Sequence, residues 1–250
     1  FWTAVLGKSL HFHMGHFLGN ETLEKGEVAA LHNLLKLFLS PVQPAQILDV
    51  GCGWGGSAFE LGQKFKTGVL GLVYNRIQAE YVNAQTQQLG LSVTARQVDI
   101  ETPGTLDNLG FFDLVWMYEV LDHIRDREGL LRKFGEISQP GTRLGIALHC
   151  RAEYIPQGIL RNEYFNIPHL PSLSEIVQIV EKNGWLILGL ADRTALTLPT
   201  WGKWQANLEL ARLQFPKEAV ELSAAMSATE ILYRTGQLRS VQLAAERGKR

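Results

Sequence analysis

Histidine is the side chain best suited to moving protons near neutral pH, and the chain has seven of them. His149 ends an apolar run, Ala147-Leu148-His149-Cys150, and Asp122-His123 follows a second run that begins at Phe112. By residue type His149 is suited to act as a general base. Asp122 is either an acidic partner for that chemistry or a helix cap. His123 reads as packed or hydrogen-bonded at the start of a helix, and Glu119 faces either a ligand or solvent. A third grouping, His11, His13 and His16, falls within His11-Phe12-His13-Met14-Gly15-His16-Phe17. No Asp, Glu or Cys stands at a ligand spacing among these histidines, so the segment reads as a cap over a substrate pocket and not as a metal site. The most distinctive pattern is Ile47-Leu48-Asp49-Val50-Gly51-Cys52-Gly53-Trp54-Gly55-Gly56. Its glycines permit a tight turn and let a ligand approach the main chain. Gly51, Gly53 and Gly56 fit the GxGxxG spacing. The turn is therefore either a nucleotide-type site or a strand–helix connection without a ligand.

These residues need elements to hold them. Short apolar runs at 45–50, 68–74, 93–98, 112–117 and 143–149 read as strands. Helical spacing over 57–65, 77–89 and 129–137 separates several of them, after an opening helix at 23–39 that Pro41 and Pro44 terminate. That alternation predicts an α/β fold, a parallel sheet with helices on both faces. Such sheets bind ligands outside the carboxyl ends of the strands, near the switch in strand order. After His149 the rhythm breaks. Residues 151–171 hold Pro156, Gly158, Pro168 and Pro171 among Tyr154, Tyr164, Phe165, Ile167 and His169, and read as an insert or lid. A helix at 172–183 follows, with Ser172 as N-cap and Gly184 past its end. Next come a strand at 185–190, a mostly helical stretch from 201 to about 233, and a last, edge strand at 238–243. The expected division is a cap at 1–44, a ligand-binding core at 45–150, the insert at 151–171, and the rest of the sheet with C-terminal helices at 172–250.

Composition narrows the function. Lys and Arg total 24 against 25 Asp and Glu, a formal net charge of −1. This balance argues against a nucleic-acid partner, which would draw on clustered cations, and fits an apolar small molecule. No run approaches the ~20 apolar residues of a membrane span, so no stable membrane insertion is expected. Cys52 and Cys150 form no CxxC pair, which suits a reduced, cytoplasmic setting. An oligomer is compatible with all of this.

The glycine-rich segment Asp49-Val50-Gly51-Cys52-Gly53-Trp54-Gly55-Gly56 resembles the first motif of class I S-adenosylmethionine-dependent methyltransferases. A nicotinamide site would place an acid at the end of the second strand, where this chain has Val73-Tyr74-Asn75. The stretch from Gly71 to Ala79 is instead similar to that of a subgroup containing cyclopropane fatty acid synthases and tocopherol methyltransferases. The resemblance runs from about His11 to Trp204. It implies a Rossmann-like, doubly wound, mostly parallel seven-stranded sheet with S-adenosyl-L-methionine as cofactor. It implies methylation of a hydrophobic small molecule at carbon, nitrogen or oxygen, in specialised metabolism.

By position, the resemblance has Gly51 and Gly53 approach the methionine part of the cofactor while Asp49 organises the loop. Tyr74, Asn75 and Gln78 would line ribose and adenine, Asp99 and Ile100 would meet the adenine edge and face, and Met117 would close the pocket. His149 and Asp122 match a His and an acid that help cyclopropane synthases hold a bicarbonate base. Two other elements of that site depart, since Met14 and Thr194 stand where the synthases carry a cysteine and a tyrosine. His13, His16, Tyr118, Tyr164 and Trp201 are the expected substrate contacts, with Trp201 and Trp204 divided between core and pocket. Lys8, Arg151 and Arg161 leave a prenyl diphosphate acceptor open. The alternatives are a cyclopropane-type modification of a lipid or prenyl alkene, and a nonenzymatic cofactor-binding protein.

Overall fold

Apolar runs covered on both faces fold as parallel strands, and amphipathic stretches between them become the covering helices. The computed structural model describes residues 1–8, 10–156 and 169–249. The expectations for Tyr164, Arg161, Phe165, Ile167 and Pro168 lie outside the described residues. In chain order the elements are α1 (Trp2–Leu6), α2 (Leu23–Leu35), β1 (Gln46–Val50), α3 (Gly56–Phe65), β2 (Gly68–Val73), α4 (Arg76–Leu89), β3 (Val93–Gln97) and β4 (Leu114–Tyr118). A single 3-10 turn at Leu121–His123 leads to α5 (Arg127–Glu136) and β5 (Arg143–Arg151). Then follow α6 (Leu173–Lys182), β6 (Trp185–Asp192), α7 (Thr194–Thr197), α8 (Pro199–Ala211), α9 (Pro216–Arg234) and β7 (Leu238–Arg247).

The seven strands form one sheet in the order β3-β2-β1-β4-β5-β7-β6. β1 to β5 pair in parallel, and β7 runs antiparallel to both its neighbours. The switch in strand order falls between β1 and β4, where Asp49 pairs with Trp116. β7 corrects the expectation of a final edge strand. It is inserted between β5 and β6, and it extends to Arg247. Its residues Val241 to Ala245 are nearly all apolar and buried, as an interior strand requires. The edge on that side is β6, whose residues are mostly half-exposed or exposed.

Side chains alternate across the sheet. Leu48, Val50, Val115 and Met117 pack on one face beneath α5 and α6, while Ile47, Trp116 and Tyr118 pack on the other with α2, α3 and α4. A third cluster joins Val5, Leu6, Leu10 and Met14 of the N-terminal segment to Trp201, Trp204 and Tyr233 of α8 and α9. The backbone pins that segment over the sheet. Gly15 N–H donates to Thr200 Oγ1 at 3.1 Å, His16 N–H to the Gly26 carbonyl at 2.8 Å, and Phe17 N–H to the Leu196 carbonyl at 3.0 Å. The segment before α2 therefore bridges α2, α7 and α8.

Candidate active site

The glycine turn leaves the carboxyl end of β1. Gly51 (φ 76°), Gly53 (φ 54°) and Gly55 (φ 91°) all adopt left-handed backbone, which glycine reaches without a Cβ penalty. The Gly51 and Cys52 amides donate to the Leu72 carbonyl at 2.8 and 3.0 Å, tying the turn to β2. A Cβ on Gly51 would lie 2.2 Å from Val120, so no larger residue fits there. A Cβ on Gly53 would approach nothing nearer than the Gly51 carbonyl at 4.0 Å. Gly53 thus borders open space. Asp49 is buried behind the turn and is not among the walls of that space; its Oδ2 accepts from Ser57 Oγ at 2.6 Å, fastening the turn to the start of α3. Burial pushes the Asp49 carboxyl up to about 7, with the Ser57 hydrogen bond opposing.

The open space is a cavity of about 130 Å³, walled by the glycine turn, Leu10 to His13, Gln78, Tyr118 and Glu119. It brings together the sequence-selected Gly51, Gly53, Gln78, Tyr118 and His13, from four separate stretches of chain. Other selected residues stand apart from it. Asn75 caps α4, its Oδ1 accepting from Ile77 N–H at 2.8 Å, and Tyr74 beside it is 76% exposed. Asp99 is exposed and accepts from Glu101 N–H at 3.0 Å. Ile100 packs against the core and lines a different cleft beside α5. Met117 is fully buried within the core layer beneath α5 and α6. His16 contacts Asn33 at 3.0 Å. Trp201 is buried, with Trp204 edge-on at 5.6 Å and Tyr233 tilted at 5.8 Å.

The N-terminal histidines form a packed pair above the turn. His11 Nδ1 and His13 Nε2 lie 2.9 Å apart, and the His13 ring sits 4.5 Å from that of Tyr118. Burial lowers all three histidines, His11 and His16 to about 4, so they are neutral at physiological pH. Tyr118 receives a hydrogen bond from Gln242 Nε2 at 3.1 Å, and the same amide nitrogen donates to the Ala30 carbonyl at 2.8 Å.

Four titratable side chains, Glu119, Asp122, His149 and Tyr233, gather around the end of β4 and the last residues of β5. Glu119 has φ 55°, a left-handed conformation that costs a residue with a Cβ about 1 kcal/mol or more and is often kept at functional sites. Its carboxylate accepts from Met14 N–H at 3.1 Å and stands 3.6 Å from His149 Nε2. The Tyr233 hydroxyl hydrogen-bonds His149 Nδ1. Asp122, fully buried, accepts from the His149 backbone N–H at 3.4 Å through Oδ2. Its Oδ1 has no hydrogen-bond partner among the described residues. Burial is the largest single influence on His149 and lowers it, but the Glu119 charge and hydrogen bond, with Asp122, together raise it to about 9. The ring is therefore an imidazolium at neutral pH.

Sequence reasoning left Glu119 open and missed Tyr233. The position of Glu119, just past a strand end at the switch, was the available signal. Tyr233 carries none: the placement of β7 beside β5 brings the end of α9 to His149.

The description "Methyltransferase domain" fits residues 23–190. A probable chloroplastic tocopherol O-methyltransferase from Oryza sativa subsp. japonica is 25% identical over 223 residues, covering 80% of this chain and 60% of that protein. The O-methyltransferase resE of Aspergillus sclerotiorum is 29% identical over 189 residues, covering 72% of this chain and 70% of the relative. Among solved structures, the cyclopropane synthase MmaA2 from Mycobacterium tuberculosis superposes with a TM-score of 0.85 at 17% identity, covering 98% of this chain and 93% of that one. The last likeness is one of fold.

Proposed function

This chain belongs to the methyltransferase domain family, and from that premise we propose that it transfers a methyl group from S-adenosylmethionine to a hydrophobic small-molecule acceptor in specialised metabolism. The observation that carries the reading is the cavity in which the glycine turn, Gln78, Tyr118 and Glu119 meet. The missing Cβ of Gly53 leaves a cradle there for a ligand to touch the main chain, so the residues present fit the cofactor. When bound, the cofactor supplies an electrophilic methyl group on a sulfonium.

The chain's own residues do the rest. Gly51 and Gly53 expose backbone to the cofactor, Asp49 holds the turn, and Gln78 serves its nucleoside end from the cavity wall; Tyr74, Asn75, Asp99 and Ile100, which stand outside that wall, are assigned to the nucleoside end by resemblance alone. Met117 supports the pocket floor from within the core. Tyr118, His13, His16 and Trp201 shape the acceptor side, an arrangement that fits an apolar ligand because the histidines there are neutral. Alignment supplies most of the acceleration in such a displacement. His149, with Asp122 behind it and Glu119 before it, handles the proton that an O–H, N–H or acidic C–H acceptor must lose. Acceptor choice is assigned to residues 1–44 and 151–171. The rice relative is a tocopherol O-methyltransferase by name, which makes lipophilic phenols the first acceptors to try. The chain spans 60% of that relative's length, so the acceptor is a matter for assay. A reducing, cytoplasmic setting suits the free, buried Cys52 and Cys150. Among the described residues no helix is long and apolar enough to cross a membrane.

Calorimetry with S-adenosylmethionine, followed by transfer of its labelled methyl group to tocopherols and simpler phenols, tests the proposal. Saturable binding and a labelled product are expected. Absence of cofactor binding would overturn the reading. A second reading, modification of a lipid alkene, rests on the resemblance of His149 and Asp122 to the His and acid of the cyclopropane synthases; label entering phospholipid vesicles instead of phenols would select it.

A further inference from the structure

We infer that His149 is a switchable acid–base group: it surrenders its proton when a cationic methyl donor enters the cavity beside Glu119, and the Glu119–His149 pair is thereby ready for the proton the acceptor loses. This rests on the methyltransferase reading and deepens it.

Glu119 connects the two places involved. Its carboxylate is part of the cavity wall, and it stands 3.6 Å from His149 Nε2, with both side chains about nine-tenths buried. The left-handed backbone at Glu119 and the Met14 N–H bond hold the carboxylate in that bridging position. Among the described residues, charged or titratable side chains meet His149 from three elements. Glu119 faces it from the end of β4, Asp122 from the 3-10 turn, and Tyr233 from α9. Arg127 lies behind Asp122, bonding its carbonyl at 2.7 Å. The Cys150 thiol is pushed up by burial and stays protonated, and His13 and His16 on the N-terminal segment are neutral. Without a ligand, the imidazolium balances the Glu119 carboxylate, which holds His149 at about 9.

A second cation alters that balance. With Glu119 between the cavity and the ring, a charge in the cavity lies roughly 6–10 Å from His149. At an effective dielectric of about 20 it weakens proton binding about ten- to a hundredfold. His149 then loses one N–H proton to solvent and keeps the electron pair on nitrogen. The Tyr233 hydroxyl suits either state, since it accepts from Nδ1–H or donates to a bare Nδ1. The pair is left with one negative charge and room for one proton. Proton abstraction thus becomes available only after the donor is in place.

Calorimetry of the full chain at pH 8, in phosphate and in Tris, reads protons exchanged from the difference in apparent enthalpy. S-adenosylmethionine should release on the order of half a proton or more per molecule bound. S-adenosylhomocysteine carries the same amino and carboxyl groups but no sulfonium, and should release almost none. Glu119→Gln still accepts from Met14 N–H; it should bind S-adenosylmethionine more weakly, and at saturating cofactor without the release, because His149 lacks its charged partner beforehand. His149→Asn should also bind without the release. Binding of S-adenosylmethionine with no proton release overturns the inference, as does equal release with both cofactors, or release that persists in both variants. Failure of wild-type protein to bind either cofactor is a different outcome and removes the methyltransferase reading itself.

Discussion

Gly53 and Glu119 share a left-handed backbone for opposite reasons. At Gly53 the missing side chain is the useful feature, because a Cβ there would stand in open space at the cavity. Gly53→Ala should therefore cost only the backbone penalty, about 1 kcal/mol of stability, while S-adenosylmethionine affinity measured by calorimetry falls at least about tenfold. Unchanged affinity would take Gly53 out of the cradle. At Glu119 the side chain is the useful feature, and the backbone tolerates it to place a carboxylate against His149. That contact has a signature in stability. His149 is raised in the fold to about 9, above its ordinary value near 6.5. Its contribution is thus fully present below about pH 6.5 and is lost as pH rises through 9. Comparing wild type with His149→Asn by urea unfolding should show the wild-type advantage at pH 6 exceed that at pH 10 by about 3 kcal/mol. A pH-independent difference would refute the Glu119–His149 pairing.

Elements were legible wherever local chemistry and periodicity agreed. α6 is the clearest example. Ser172 stands before an apolar, helix-spaced run, with Glu175 three residues on, and the structure has the full capping box: Ser172 Oγ accepts from Glu175 N–H at 3.3 Å and Glu175 Oε2 from Ser172 N–H at 2.8 Å. Ser172→Ala should cost about 1 kcal/mol and lower Tm by about 2–4 °C for a chain of this size, with cofactor binding unaffected. A much larger fall would mean that the Ser172 hydroxyl also anchors the chain after β5, through its contacts with Ser174 and Glu153. β7 was legible as a strand but not in its place or length. Periodicity reports that a segment is extended and buried. It does not report which neighbours pair with it, and Glu246 and Arg247 look like a strand's end until they are seen to meet Arg143 and Trp185. The same limit hid Tyr233, whose role depends on that non-local pairing. Asn75 shows a different limit, since a polar residue after a strand has the type of a ribose contact and of a helix cap: the cap on α4 is seen, and the ribose contact belongs to the proposal.

At the scale of the whole molecule, two differently built parts meet at the cavity. One is the sheet, whose central strands β1 and β4 are paired on both sides and covered on both faces. The other is the N-terminal segment with α8 and α9, a separate cluster whose link to the glycine turn and strand ends includes the bond from Met14 to Glu119 and the close approach of His11 to Gly56. Local opening follows the weakest set of contacts, so residues 10–17 should open well before β1 or β4. A ligand that binds the closed form alone stabilises it, by about 2.7 kcal/mol at a hundredfold excess over Kd. Hydrogen exchange should accordingly show residues 10–17 and 51–56 exchanging faster than β1 and β4 in the free protein. Adding S-adenosylmethionine should slow them by up to about a hundredfold, while the edge strand β6, remote from the cavity, is little changed. Protection rising evenly over the chain would mean that the cofactor binds one rigid body. Protection confined to the cleft between Ile100 and Lys133 would move the cofactor site to the other side of the loop after β3. Slowing centred on the N-terminal histidines and the glycine turn would make closure of this cap a part of cofactor binding, and would join the two parts of the molecule where the acid–base pair lies.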